Sequence, residues 1–285
     1  MIILSNNQWY CDENAKAWAA RGEDCSAEAR MPEIVKAYLT VLPDIICLQE
    51  SSGKMGNLMM TEIRLQLAEK GLGDVAYAYV SGRDTPIVYR SDLLSLVESG
   101  FFLYPQDVPG FEGEFNNSES KSYCWCVFRE KATGKYIAAL STHLWWKSDD
   151  PQKSYYFPHS GEARAWQLQQ STSRMNEIMR KYNCPVFVMG DFNAVANSKC
   201  VQTAYADGWQ DVHDVCQGEC DNSWGYHYCS WDNYRKFEWK PFEEAIDHML
   251  FKSPVPLTVK RFARIMPEWF DKLSDHYPLY AEIEF

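Results

Sequence analysis

A carboxylate and a carboxamide lie two positions apart at Asp191 and Asn193, directly after the apolar run of residues 185–188. If that run forms a buried strand, both side chains leave its C-terminal end on the same side of the backbone. There they could orient a water molecule or hold a phosphate oxygen. A Gly-Asp-x-Asn segment is equally typical of a simple turn, in which Asp and Asn bond their own backbone. The segment alone therefore leaves two interpretations open.

Four further polar clusters border or interrupt apolar runs: Glu50 after residues 45–49, His143 after residues 137–142, Asp247 within residues 246–251, and Asp275 with His276 before residues 277–283. An unpaired charge inside an apolar segment is costly, so Asp247 is expected to serve a purpose there. Together these clusters favour an active site over a set of unrelated turns.

The elements that must position these side chains are strands and helices in mixed order. We expect strands at residues 2–5, 45–49, 75–80, 86–89, 123–128, 136–141 and 185–188. We expect helices at residues 27–42, 58–70 and 161–181, the first ending before Pro43 and the second at Gly71. Residues 131–135 are predicted to form a hairpin loop. This order is typical of an α/β fold with two sheets flanked by helices.

The composition fits one catalytic domain spanning residues 1–285, with 46% hydrophobic residues to build a large core. No segment has the apolar length of a membrane-spanning helix, and the first residues lack a secretory signal. A cytoplasmic protein is expected, and a secreted chain whose leader has been removed is the alternative. Ten cysteines are present. Buried free thiols are the favoured interpretation because Cys47, Cys124 and Cys126 lie in predicted strands.

The net charge is −11, from 28 basic and 39 acidic residues. Such a chain has no overall electrostatic attraction to a long nucleic acid, although a local basic groove can coexist with an acidic total. A small or single-stranded substrate is therefore favoured, and a nuclease acting on DNA or RNA remains the alternative.

The motifs, taken in order, resemble those of the endonuclease/exonuclease/phosphatase superfamily, a group of deoxyribonuclease-like metal-dependent phosphoesterases. The resemblance rests on Asn7 and on five blocks that follow it: residues 43–50, 141–144, 190–193, 246–248 and 274–278. It runs over almost the whole chain. The fold that the resemblance implies is a four-layer α/β sandwich, in which two mixed β-sheets pack face to face and helices flank them.

The same resemblance implies roles for individual residues. Glu50, Asn7 and Asp275 would hold a divalent cation, Mg²⁺ or Mn²⁺, whose preference is for oxygen ligands. Because Asn6 precedes Asn7, a one-residue slip in the short strand would exchange which of the two points inward.

Four further residues would act on the substrate. Asp191 would orient or deprotonate the attacking water, and Asn193 would bind a phosphate oxygen. His276, held by Asp247, would donate to a second phosphate oxygen as negative charge builds, and His143 would be another donor. The chain is thus expected to be a hydrolase that cleaves a phosphoester by in-line attack of water.

Substrate contacts are expected from the long connections and their neighbours. The candidates are two cations and three aromatic side chains: Arg83, Arg164, Trp145, Tyr226 and Trp231. The arginines could bind a phosphate, and the aromatic rings could stack on a base or a sugar.

Two departures from subfamily patterns bear on the substrate. Residues 242–246 do not resemble the Trp-Cys-Asp-Arg block of inositol polyphosphate 5-phosphatases, and Gln8-Trp9 lacks the acid that follows the asparagine in abasic-site endonucleases. A phosphodiester substrate is slightly favoured over a monoester. The second alternative is a relative that binds a phosphorylated ligand without turnover. It is disfavoured because such a protein has no need of the complete set of acids and histidines.

Overall fold

The computed structural model describes residues 1–10, 19–20, 22–115, 121–220 and 245–285. In chain order its strands are β1 (Ile2–Asn7), β2 (Ile45–Gln49), β3 (Tyr77–Val80), β4 (Ile87–Arg90), β5 (Leu94–Leu103), β6 (Ser122–Glu130), β7 (Tyr136–His143), β8 (Val186–Asp191), β9 (Gln210–Asp211), β10 (Glu219–Cys220), β11 (Asp247–Lys252), β12 (Thr258–Arg264) and β13 (Leu279–Glu284). Its helices are α1 (Ala27–Tyr38), α2 (Gly53–Glu69), α3 (Ser160–Tyr182), α4 (Lys199–Ala206) and a 3₁₀ helix at Glu268–Lys272.

These strands form two mixed sheets. The first sheet has the spatial order β10-β12-β13-β1-β2-β4-β3, and the second has the order β5-β6-β7-β8-β11-β9. Both sheets combine parallel and antiparallel pairs: β1 with β2 and β10 with β12 are parallel in the first, and β7 with β8 are parallel in the second. This arrangement confirms the predicted fold class.

The alternation of side chains along the strands builds four layers. On β8, Phe187 and Met189 pack between the sheets, whereas Val186 and Val188 pack on the outer face of the second sheet. That outer face is covered by α3 and α4, whose buried residues join the same cluster. On the first sheet the outer residues of β2 pack against α1 and α2 in the same way. Strands buried on both faces read as continuous apolar runs, which explains why residues 45–49 and 185–188 do so.

The helices and strands that the sequence predicts differ from the observed ones mainly at their ends. Helix α1 was expected to reach residue 42 but ends at Tyr38. The Thr40 hydroxyl bonds the Ala37 carbonyl, and Leu42 has a φ of 49°, so the chain turns before Pro43. Helix α2 begins five residues earlier than predicted because the Ser52 hydroxyl accepts the Met55 N–H as an N-cap.

Strand β5 was not predicted. It lies at the edge of the second sheet, has a bulge between Leu96 and Glu98, and exposes large apolar side chains at consecutive positions, which are Leu96 with Val97 and Phe101 with Phe102 and Leu103. Such a strand lacks the alternation of polar and apolar residues by which a strand is recognised from sequence.

Two further expectations concern the membrane and the cysteines. Within the described ranges, no helix combines the length and apolarity that crossing a bilayer requires. Eight of the ten cysteines lie in those ranges and are free thiols, six of them buried. Cys11 and Cys229 lie outside the described residues.

Candidate active site

Three of the expected residues form one row across the second sheet. Asp191 at the end of β8 is opposite His143 of β7 on one side and Asp247 of β11 on the other. Two positions away from Asp191 and Asp247, Met189 and Met249 belong to the core between the sheets. Since side chains alternate along a strand, the row faces the first sheet just beyond the end of that core. All three side chains are buried.

The first sheet supplies Asn7, which lies opposite Gln49 in the parallel pairing of β1 with β2. The Asn7 amide nitrogen donates to Asp191 Oδ2 at 3.1 Å and to Glu50 Oε1 at 3.2 Å. Asn6 faces the other way, and its Oδ1 accepts the Tyr38 hydroxyl at 2.7 Å. Asn7 is therefore the asparagine of the site.

Glu50 reaches the site through a break in strand geometry. Continued alternation would turn its side chain outward with Leu48, but its φ of 51° departs from an extended backbone. The carboxylate instead meets the Asn7 amide and accepts the Tyr10 backbone N–H at 2.8 Å. Burial opposes charge on this group, yet the nearby His143 and Lys121 and these two hydrogen bonds hold the pKa of Glu50 below its usual value.

One oxygen of Asp191 is the centre of the arrangement. Around Asp191 Oδ2 lie the Asn7 amide nitrogen at 3.1 Å, His143 Nε2 at 3.5 Å and His276 Nε2 at 3.7 Å. The other oxygen, Oδ1, accepts the backbone N–H of Asn193 at 2.8 Å. A carboxylate held in this way has a fixed orientation and one oxygen directed at a ring of nitrogen atoms.

Asn193 fixes the loop as well as the acid. Its φ is 49°, and its side-chain amide donates to the Leu144 carbonyl at 3.2 Å. The Gly-Asp-x-Asn segment is thus both a turn and part of the site. Positive φ at Glu50 and at Asn193 is uncommon for such residues, and this kind of backbone strain is concentrated at functional sites.

His276 forms a close pair with Asp247, with 2.6 Å between His276 Nδ1 and Asp247 Oδ2. Backbone contacts hold the imidazole in place: the His276 N–H donates to the Ser274 hydroxyl, and the Asn6 amide donates to the His276 carbonyl. Burial opposes a charged imidazole, but the carboxylates of Asp247, Asp275 and Asp191 hold the pKa of His276 well above its usual value. The ring is a cation with Nε2 directed at the site.

His143 has the opposite protonation. Burial and the adjacent Lys121 ammonium lower its pKa and favour the neutral ring, whereas the carboxylates of Asp191, Glu50 and Asp84 act against this shift. Lys121 Nζ lies 3.0 Å from Nε2 and 3.2 Å from Nδ1 of this ring. Asp84, fixed by a 2.6 Å bond from the Ser122 hydroxyl, lies 3.9 Å from His143 Nδ1.

Sequence reasoning missed both Lys121 and Asp84. Lys121 directly precedes β6, whose first residue, Ser122, pairs with His143. The register between those strands is the signal that would have found it, and a single sequence does not reveal that register. Asp84 directly follows Arg83, which was predicted as a substrate contact.

Two features bear on a metal ion. Side-chain atoms of Asp191, Asp247 and His276 lie within 4.8 Å of one another, a spacing that could hold a cation, although the bond between Asp247 and His276 already joins two of these groups. Within the described part of the chain, Asp275 Oδ1 is buried and accepts no hydrogen bond. Burial, together with the charges of Glu50 and Asp191, raises the pKa of Asp275 to about 7. Carboxylate and amide oxygens of this kind fit a hard divalent cation.

Two of the expected substrate contacts, Arg164 and Trp145, are buried and do not line an open site. Arg164 is buried and donates to the carbonyls of Trp145 and Lys147, so it braces the loop after His143 and is not an open phosphate clamp. Trp145 is also buried, packed against Phe115 with its indole N–H on the Ser160 hydroxyl, so its ring is not a stacking surface.

The remaining expected contacts divide into one exposed residue and two undescribed ones. Arg83 is exposed. Tyr226 and Trp231 lie outside the described residues. The aromatic residues that the loop after His143 does expose include Trp146, Tyr155 and Tyr156, and the Trp146 ring stacks on Tyr155 with 6.0 Å between the ring centroids.

His248, the neighbour of Asp247, points to the outer face of the second sheet. Its Nδ1 lies 2.9 Å from Asp211 Oδ2 and its Nε2 lies 2.8 Å from the Ala194 carbonyl oxygen. Two Asp–His pairs therefore stand on opposite faces of β11, one at the site and one among the packing residues of the outer layer.

Comparisons with known proteins identify the family and the fold of this chain. A family model described as Endonuclease/Exonuclease/phosphatase family matches residues 22–276. A mannosyl-6-phosphatase from Bacteroides thetaiotaomicron has a similar structure, with 22% identity, a TM-score of 0.71 and complete coverage of both chains. No curated protein matches the chain.

Two other solved structures are similar. An endonuclease/exonuclease/phosphatase family protein from the same organism has 21% identity and a TM-score of 0.72 over 99% of this chain and 97% of that one. An endonuclease/exonuclease/phosphatase from Bacteroides vulgatus has 19% identity and a TM-score of 0.69 over 100% of this chain and 98% of that one. At these identities the likeness shows the fold alone.

Proposed function

We propose that this chain, which belongs to the endonuclease/exonuclease/phosphatase family, hydrolyses a phosphoester with the help of a divalent cation. The observation that carries the proposal is the arrangement around Asp191 Oδ2. A fixed carboxylate oxygen lies within 3.7 Å of a neutral and a cationic histidine and within 3.1 Å of an amide. A protein that only binds a ligand has no need of an oriented base among groups that stabilise negative charge.

The residues present fit a cation at Glu50 and Asp275. Among the described residues Asp275 Oδ1 accepts no hydrogen bond, and the nearest charge of opposite sign is His276 Nε2 at 3.9 Å; a cation held by Glu50 and Asp275 would offset the repulsion between these two carboxylates. Asn7 orients Glu50 through its amide nitrogen, while its own oxygen accepts the Trp9 N–H at 2.9 Å. When bound, Mg²⁺ or Mn²⁺ would neutralise charge on the phosphoryl group.

The chain's own residues account for the remaining chemistry. Asp191 takes a proton from the attacking water, whose oxygen forms a bond to phosphorus while the bond from phosphorus to the alcohol oxygen breaks. The alcohol oxygen takes up a proton from solvent and Asp191 releases its proton to solvent, so water and phosphoester give alcohol and phosphate with no change in oxidation state. The His276 imidazolium donates to a phosphoryl oxygen as charge builds on it, and Asp247 keeps that imidazole charged and oriented.

The overall charge supports a small substrate, since a chain of net charge −11 does not attract a long polyanion. One of the similar structures is named a mannosyl-6-phosphatase, and the match covers the full length of both chains. We therefore place a small phosphorylated metabolite first among substrates and a nucleic acid second.

An assay with 4-nitrophenyl phosphate and bis(4-nitrophenyl) phosphate tests the proposal. Turnover is expected with Mg²⁺ or Mn²⁺ and is expected to fall to background after chelation. Asp191→Asn should lower kcat by at least about 100-fold, the usual contribution of a positioned base. Asp74→Asn is the matched control, because Asp74 is exposed and is not one of the site residues.

Two results would refute the proposal. Full turnover by the Asp191→Asn variant would show that this carboxylate is not the base. Binding of inorganic phosphate without turnover of either ester, or of natural phosphate esters screened in the same assay, would identify a ligand-binding relative.

A further inference from the structure

Lys121 occupies an unusual position against His143. Its ammonium is 3.0 Å from one ring nitrogen and 3.2 Å from the other. A nitrogen atom nearly equidistant from both cannot lie along either lone pair in the ring plane, because those directions diverge. The ammonium therefore lies over the face of the imidazole, where a cation is attracted by the π-electrons.

The carboxylates near the two ring nitrogens are those of Asp84 and Asp191. Nδ1 lies 3.9 Å from Asp84 Oδ2 and Nε2 lies 3.5 Å from Asp191 Oδ2. Because the ammonium lies over the ring face, Lys121 is not an in-plane hydrogen-bond partner of the imidazole. Its charge is held at the site on the same side of Asp191 as His143.

The nitrogen groups around Asp191 Oδ2 approach from three sides. The Asn7 amide with Glu50 forms the first, the His276 cation forms the second, and His143 with Lys121 over its face forms the third. Each side can stabilise one phosphoryl oxygen: the first through a cation at Glu50, the other two through N–H donors.

The number of groups that can each stabilise one phosphoryl oxygen discriminates between substrate classes. A phosphate monoester has three non-bridging oxygens that share up to two negative charges, whereas a diester has two such oxygens and one charge. We propose that Lys121 binds the third non-bridging oxygen of the substrate and makes the site selective for phosphate monoesters. This inference rests on the proposed function, and it reverses the slight preference for a diester that the sequence indicates.

Two substrates with one leaving group test the inference. In 4-nitrophenyl phosphate all three non-bridging oxygens are free, and in ethyl 4-nitrophenyl phosphate one carries an ethyl group. Wild-type protein should have the higher kcat/KM for the monoester. Lys121→Met should lower kcat/KM for the monoester by about 10- to 100-fold, the effect of one charge-assisted hydrogen bond. The loss for the diester should be at least about tenfold smaller.

Two variants serve as controls. Lys121→Arg keeps the charge and should recover part of the monoester activity. Lys70→Met removes an exposed lysine at the end of α2 and should leave the ratio of the two kcat/KM values unchanged. Equal losses on both substrates in Lys121→Met, or a wild-type preference for the diester, would overturn the inference.

Calorimetry separates this inference from the proposed function. If neither ester is turned over by wild-type protein, the proposed function fails, but binding of inorganic phosphate can still be measured. Lys121→Met should weaken that binding by about tenfold or more relative to wild type, with the folded state of each variant checked by circular dichroism. Unchanged affinity for inorganic phosphate would refute a role for Lys121 in holding the third oxygen.

Discussion

Strand β11 carries two adjacent residues, Asp247 and His248, each of which belongs to a separate Asp–His pair. The two pairs allow a matched experiment. Asp247 bonds His276 inside the site at 2.6 Å, and His248 bonds Asp211 on the opposite face at 2.9 Å. All four side chains are buried. The substitutions Asp247→Asn and Asp211→Asn each replace a buried carboxylate by an amide of the same shape, so they remove the same kind of bond at two places.

The size of the effect follows from the bond. A hydrogen bond to a charged group contributes about 1.5–3 kcal/mol, and about 1.4 kcal/mol corresponds to a tenfold change in rate. If the bond between Asp247 and His276 acts in the transition state, Asp247→Asn lowers kcat between about 10-fold and about 150-fold. Asp211→Asn should instead lower the free energy of unfolding by about 1.5–3 kcal/mol and leave kcat near the wild-type value.

The assay is steady-state hydrolysis of 4-nitrophenyl phosphate together with urea unfolding of each variant. A double-mutant cycle adds the specific test: once His276→Gln has removed the imidazole, Asp247→Asn should have little further effect on kcat, because the two residues act as a unit. Additive losses in the double variant would refute the role given to Asp247. Comparable losses of kcat in Asp247→Asn and Asp211→Asn would refute the division between the two faces of β11.

Three further predictions concern backbone fit, metal and pH. Gly190→Ala should lower the free energy of unfolding by about 3 kcal/mol or more in urea titrations, since its Cβ would lie 1.9 Å from the Thr142 carbonyl oxygen and φ is 148°. Gly53→Ala is the control and should cause no loss, because a Cβ at Gly53 would have no atom of the described residues within 4 Å. Asp275→Asn should raise the Mg²⁺ concentration for half-maximal turnover by more than about tenfold, and a normal metal requirement would exclude Asp275 as a ligand. Burial opposes charge on His248, but its bond to Asp211 raises its pKa, so the stability from this pair is complete below the ordinary histidine pKa and is lost as pH rises through the raised one. The difference in unfolding free energy between wild type and Asp211→Asn should therefore be larger at about pH 6 than at about pH 9. The reverse order would contradict a stabilising pair of charged His248 with Asp211.

The sequence predicts the interior of the fold better than its edges. Continuous apolar runs correctly indicate β2 and β8, because strands covered on both faces need no polar side. Strand β5 escapes prediction because it is an edge strand that exposes large apolar side chains on both faces. Its sequence therefore does not alternate between polar and apolar residues. Helix ends depend on single bonds such as the Ser52 cap, which a period of 3.6 residues does not register.

The same contrast holds at the site. Motif order indicates Asp191 and His276, but the choice between Asn6 and Asn7 needed the parity of β1 relative to its neighbours. Lys121 could not be inferred at all, since only the pairing of Ser122 with His143 brings it to the imidazole. Spacing along the chain reports which face a residue takes, and register across strands reports what it meets.

Register also explains why Gly190 precedes the acid. The parallel pairing of β7 with β8 places Gly190 against Thr142, so that the next pair is His143 with Asp191. A side chain at Gly190 would collide with the Thr142 carbonyl oxygen and would make a tight 3.1 Å contact with the Gln49 amide nitrogen, which donates to the Ser141 hydroxyl between the sheets at 3.0 Å. The two strands would then separate, and the 3.5 Å approach of His143 Nε2 to Asp191 Oδ2 would be lost before any site residue had changed. The glycine is therefore as much a condition of the chemistry as the acid beside it, through close packing of the backbone and not through contact with a substrate.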